Sequence, residues 1–165
     1  MTDEDVLAYL RGGGSHFFSF ADIPVVDEDS SIGVALTAAC DYGTRGVVVR
    51  GADNQFGFAT VDDLVGFQHS RGVVAESVHA PVREIGPVRI AGAEMSAPIA
   101  RVREKFEAPG VKVMFESGRA IGLLSEAEDW ESRFFQVPTI YYCPNGHAWG
   151  PPPPTKCFCD GEPVA

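Results

Sequence analysis

The spacing of apolar positions changes several times along the chain, and each change marks an element. IPVV, from Ile23, is a short apolar run that predicts a strand. Residues 27–31 supply turn chemistry and several N-cap candidates. Ile32, Ala35, Leu36, Ala39 and Cys40 then recur at helical spacing until Gly43, a residue suited to ending a helix. TRGVVVRG predicts a valine-rich strand, ADNQ a turn and FGFAT a second strand, so the two form a hairpin. VDDLVGF opens another helix with acids in its first turn.

The same order returns further on. PVRIAG predicts a strand, and Ile99, Val102 and Phe106 mark one face of a helix begun near Pro98 and broken at Pro109 and Gly110. VKVMFE and RAIGLLS predict strands around a turn at Ser117 and Gly118, and EAEDW starts a closing helix. Gly57-Phe58-Ala59-Thr60 lines up with Gly122-Leu123-Leu124-Ser125, and the two helix starts keep nearly the same offset. The pattern is an internal βαββα repeat, placing the chain in the α/β (α+β) class. The expected division is a lead-in over residues 1–22, with a short helix over 2–10 and the aromatic run SHFFSF as strand or anchor. A first repeat over 23–69, a connector over 70–92, a second repeat over 93–137 and a distinct segment over 138–165 follow.

DSSIGVALTAACDYGTRGVVVRGADNQFGFATVDDL and SAPIARVREKFEAPGVKVMFESGRAIGLLSEAEDW, with their leading strands, resemble a tandem pair of CBS domains. The likeness spans roughly residues 23–131. Its most telling motif is a glycine, two apolar residues, Ser or Thr, two variable residues and an acid; GFATVDD and GLLSEAE both fit. The resemblance implies a pseudo-two-fold module, a two-fold homodimer, and an adenine nucleotide or related ligand in the cleft between repeats. It implies that Thr60 with Asp63, and Ser125 with Glu128, contact that ligand. The physics agrees, because a hydroxyl at a strand-to-helix junction lies beside free backbone N–H groups that suit a phosphate. The same residues also serve as N-caps completed into capping boxes, and both readings stand at this point. The sequence departs from the family where Val48 and Met114 replace a proline frequent in the first hairpin strand. Arg45 or Lys112 matches the family's basic residue before that strand.

The last segment, YYCPNGHAWGPPPPTKCFCDGEPVA, breaks with everything before it. CPNGH places Cys143 and His147 on a tight turn, and CFCDG brings Cys157, Cys159 and Asp160 onto a second. Two facing turns supply four donors for one structural zinc ion: Cys143, His147, Cys157 and Cys159, with Asp160 the alternative to Cys159. Iron is the substitute such thiolates would accept, giving a redox protein as another reading. The segment resembles a zinc ribbon or rubredoxin-like knuckle pair in outline, and it offers a surface for docking a protein partner. Pro151 to Pro154 form an extended strap between the turns. His16, His69 and His79 have no partner at ligand spacing and read as ordinary surface or cap residues.

Composition narrows the function. The 165 residues carry a formal net charge of −10. That acidity, without a Lys/Arg cluster, predicts neither nucleic-acid nor membrane binding. No window approaches a membrane span, and the acidic start lacks the charge pattern of a signal peptide. Thiols clustered beside a histidine suit a reducing, cytoplasmic setting. There is no phosphate loop, nucleophile elbow or His-Glu-x-x-His helix, so a regulatory or binding protein is expected, not an enzyme.

Overall fold

The computed structural model describes residues 17–20, 22–70, 76–94, 111–125 and 133–165. The helices expected over residues 2–10 and 98–106, and the closing helix at EAEDW, lie outside the described residues.

The repeat is visible in the pairing of the strands. In the first half, β2 (Val25–Asp27) runs parallel to β3 (Gly46–Arg50), and β3 pairs antiparallel with β4 (Phe56–Thr60). In the second half, β5 (Val88–Glu94) runs parallel to β6 (Lys112–Glu116), and β6 pairs antiparallel with β7 (Arg119–Ser125). β4 and β5 join the halves antiparallel, and β1 (Phe17–Phe20) adds to β7. The result is a seven-stranded mixed sheet of order β1-β7-β6-β5-β4-β3-β2. A parallel pair needs a crossover, which α1 (Ile32–Tyr42) supplies in the first half.

The sheet curls until its two ends meet. The Ile23 N–H donates to the Ala120 carbonyl at 3.1 Å, Arg50 to the Gly118 carbonyl at 3.3 Å, and Arg119 pairs with Asp22 at 2.8 Å. Curling gives each repeat two buried faces, which explains the unbroken valine run of β3. Val47 and Val49 face the core beneath the helices, while Val48 faces a second core with Val113, Phe115 and Leu123 from the other half. Met114, like Val48, is buried. Phe56 and Phe115 meet across the junction at 4.6 Å between ring centroids.

α1 begins where the Ser31 hydroxyl accepts the Val34 N–H at 3.1 Å and ends at Gly43, whose φ is 70°. Ile32, Ala35, Leu36 and Ala39 are fully buried, as their spacing predicts. α2 (Val61–Ser70) buries Val61, Leu64 and Gln68. The described residues of the connector before β5 form one helical turn, α3 (Glu76–His79), and a 3-10 turn (Val82–Ile85). Three backbone bonds hold it over the start of α1: Ile32 to Ala80, Val82 to Ser30 and Arg83 to Glu28. They set its shape through partners some fifty positions back, which no local pattern reveals. No helix among the described residues is long and apolar enough to cross a membrane.

Candidate metal centre and ligand cleft

The last segment folds as two similar turns facing each other. In the first, the short hairpin of β8 (Tyr141–Tyr142) and β9 (Ala148–Trp149) is closed by Cys143-Pro144-Asn145-Gly146-His147. The Gly146 N–H donates to the Cys143 carbonyl at 2.9 Å, and Gly146 takes φ 85°, where a side chain would be strained. In the second, the Gly161 N–H donates to the Cys157 carbonyl at 2.8 Å, with Gly161 at φ 74°.

Four donor atoms converge between the turns. His147 Nδ1 lies 3.2 Å from Cys143 Sγ, 3.5 Å from Cys157 Sγ and 3.3 Å from Asp160 Oδ2, and Cys143 Sγ lies 3.3 Å from the same carboxylate oxygen. All four lie within 4.8 Å of one another. A tetrahedron built with zinc bond lengths has donor–donor edges of about 3.3–3.8 Å, so this set fits one four-coordinate ion. Backbone N–H groups of His147 and Cys159 point at the sulfurs of Cys143 and Cys157, each at 3.4 Å, and Trp149 Nε1 reaches Cys157 Sγ at 3.4 Å. Such donors favour thiolates.

Burial holds the Cys143 thiol above its usual range. Asp160 is held well below the usual carboxylate range, chiefly by the Asn145 amide at 2.8 Å. Its side chain is only 19% exposed, although the residue as a whole sits at the surface.

Of the residues singled out from sequence, Cys143, His147 and Cys157 share this cluster. Cys159 sits beside it, its Sγ 3.5 Å from Nε2 of His79, and with His147 the two make a second, three-residue group. Burial, followed by the neighbouring Cys157, pushes the Cys159 thiol up to about 12. His79, read from sequence as an ordinary surface residue, is thus one that local spacing missed; its nearest cysteine is 80 positions away.

The first turn is seated on the first repeat, and both turns pack against the connector. The side-chain amide of Gln68 donates to the Ala148 carbonyl and accepts the Gly150 N–H, each at 2.9 Å. Val65 of α2 leaves no room for a Cβ at Gly150. Trp149 and Cys157 pack with Val78 of the connector in a small buried cluster.

At the other end of α2, Thr60 and Asp63 form a reciprocal capping box. The Asp63 N–H donates to Thr60 Oγ1 at 3.0 Å, and the Thr60 N–H to Asp63 Oδ2 at 3.4 Å. Thr60 also lines a cavity of about 540 Å³ between the halves, with Arg45, Phe58, Val111, Leu123 and Arg133. Asp63 does not line it. Ser125 ends β7, a strand running in the same direction as β4, so the two strand ends emerge at one edge of the sheet. Glu128, its expected companion, lies outside the described residues.

No protein-family model matches the sequence, and no curated protein does. Solved structures do. A CBS-domain protein from Streptococcus pneumoniae is similar at 14% identity and a TM-score of 0.45, over 78% of this chain and 95% of that one. A CBS-domain-containing protein from Agrobacterium tumefaciens is similar at 24% identity and a TM-score of 0.41, over 64% and 79%. Hypoxic Response Protein I, solved with two coordinated zinc ions, is similar at 15% identity and a TM-score of 0.43, over 76% and 93%.

Proposed function

We propose that the protein is a regulatory module that binds an adenine nucleotide or related anionic ligand in the cleft at Thr60, while a zinc ion holds its C-terminal turns. One observation carries this reading: a single helix joins the two sites. α2 starts at the Thr60–Asp63 corner on the cleft and ends with Gln68 clamped to the metal-bearing turn. Arg133 and the helix N-terminus offer an anion positive polarity in the cleft, and Arg45, paired there with Asp62 at 3.4 Å, is a cation for which an anion would compete with that carboxylate. Its volume lies within the range of small-molecule sites. A ligand that draws on the N-terminus of α2 acts on a rigid rod of about 15 Å whose far end seats the metal centre.

Isothermal titration with AMP, ATP and S-adenosylmethionine tests the cleft. Heat is expected from at least one of them, with affinity falling at least tenfold in Thr60→Ala and restored in Thr60→Ser. Silence from all three ends the nucleotide reading. Two thiolates, an imidazole and a carboxylate suit zinc better than iron, whose protein sites of this kind favour four thiolates. Elemental analysis is expected to give zinc in a colourless protein; a red absorbance would establish iron instead.

A second reading, a dimerisation or interaction module without ligand, draws on the outer face of α1, where Val34 and Tyr42 are about half exposed. Sedimentation equilibrium decides it: a dimer that persists without nucleotide in a protein silent to titration favours this reading.

A further inference from the structure

The second group of side chains able to ligate a metal shares only His147 with the four-donor site and joins parts of the chain that the sequence keeps apart. His79 comes from the connector between the repeats, and Cys159 from the second turn. Their donor atoms approach to 3.5 Å, and the rings of His79 and His147 stand edge to face at 5.4 Å between centroids. The ligand atoms of His79, His147 and Cys159 lie within 4.8 Å of one another, in a setting more open than the first: His79 is exposed, and the other two are half-buried. An apolar groove of about 430 Å³, lined by Val34, Ala38, Tyr42 and Val78, has His79 and His147 on its rim.

We propose that His79 and Cys159, with His147 shared, form an outer position for a second borderline-soft divalent cation of the zinc class. The proposal rests on the reading of Cys143, His147, Cys157 and Asp160 as the inner site. His147 turns Nδ1 to the inner donors, so Nε2 carries the remaining ring proton, and an outer ion would take Nε2 by releasing that proton to solvent and leaving a bridging imidazolate. The His79 imidazole, the shared His147 imidazolate and one thiolate are donors zinc accepts, and three protein ligands leave a coordination position open to water or to a molecule in the groove. Fewer protein donors and greater exposure make the outer ion the weaker and more exchangeable of the two. Because His79 belongs to the connector, occupancy of this position ties the C-terminal turns to the segment that links the repeats.

Equilibrium dialysis of the full chain against zinc, with cobalt spectra as a second readout, tests the assignment. The wild-type chain is expected to take up two equivalents, one at least tenfold weaker. His79→Ala and Cys159→Ser, whose far-ultraviolet circular dichroism should match the wild type, are each expected to lose the weak equivalent and keep the tight one within about twofold. Cobalt bound at the weak position should lose its thiolate charge-transfer band in Cys159→Ser. A single equivalent untouched by either variant overturns the outer position and leaves the inner site standing. Loss of the tight equivalent in Cys159→Ser overturns it too, by making Cys159 an inner ligand. No uptake by the wild-type chain overturns both sites.

Discussion

Gln68 is 1% exposed, yet both ends of its amide are engaged, one on a carbonyl and one on an N–H of the C-terminal turn. Truncation strands both backbone groups, and leaving buried polar groups unpaired costs about 1–3 kcal/mol each. Gln68→Ala is therefore expected to lower the urea midpoint by more than a surface change on α2 does, and to weaken metal retention with it. Tyr142 makes a second residue-scale test. Burial, aided by a hydrogen bond with Cys40, pushes its phenol up to about 12, against about 10 for an unfolded tyrosine. The folded state holds this proton after the unfolded state has released it. That stabilisation is complete below pH ~10 and is lost as pH rises toward 12. Alkaline absorbance titration should show a late phenol that vanishes in Tyr142→Phe, and the variant should lose less stability across the same interval. What the sequence made legible at this scale follows chain distance. Cys143, His147 and Cys157 stood out because turns of a few residues carry them. Asp160 was visible only as an alternative, and Gln68 and His79 gave no signal because each meets its partners some eighty residues away.

Among the elements, those whose pattern reports burial on one face were readable. α1 follows its apolar spacing and its caps, and Ser31→Ala is expected to cost about 1 kcal/mol by freeing the Val34 N–H, as thermal melts would show. β3 was readable as a strand, but its three consecutive valines conceal which residue faces which core. Only the curl of the sheet, which brings the second repeat against Val48, decides that. The connector was not readable as turns, because hydrogen bonds to residues 28–32 shape it and its own propensities do not. The corner at Thr60 was legible as a capping box, and that box is formed. The threonine still borders the cavity, so one residue both caps a helix and lines the cleft.

Across the whole molecule, the equivalence of the halves was legible from the recurring order of strands, and the pairing pattern repeats it. The way the halves meet was not, since the contacts that close the sheet lie between segments about a hundred residues apart, such as Ile23 with Ala120 and Asp22 with Arg119. β5 is the strand both halves share: Val88 to Ile90 pair with β4, and from Ala91 onward it pairs with β6. At this exchange sits Gly92, and a Cβ there would come within 2.8 Å of the Phe56 ring and 3.0 Å of the Phe115 ring. The missing methyl lets an aromatic from each half close over the strand like two leaves on one spine. A single added carbon there would press on both rings and pry the leaves apart while each kept its own ladder.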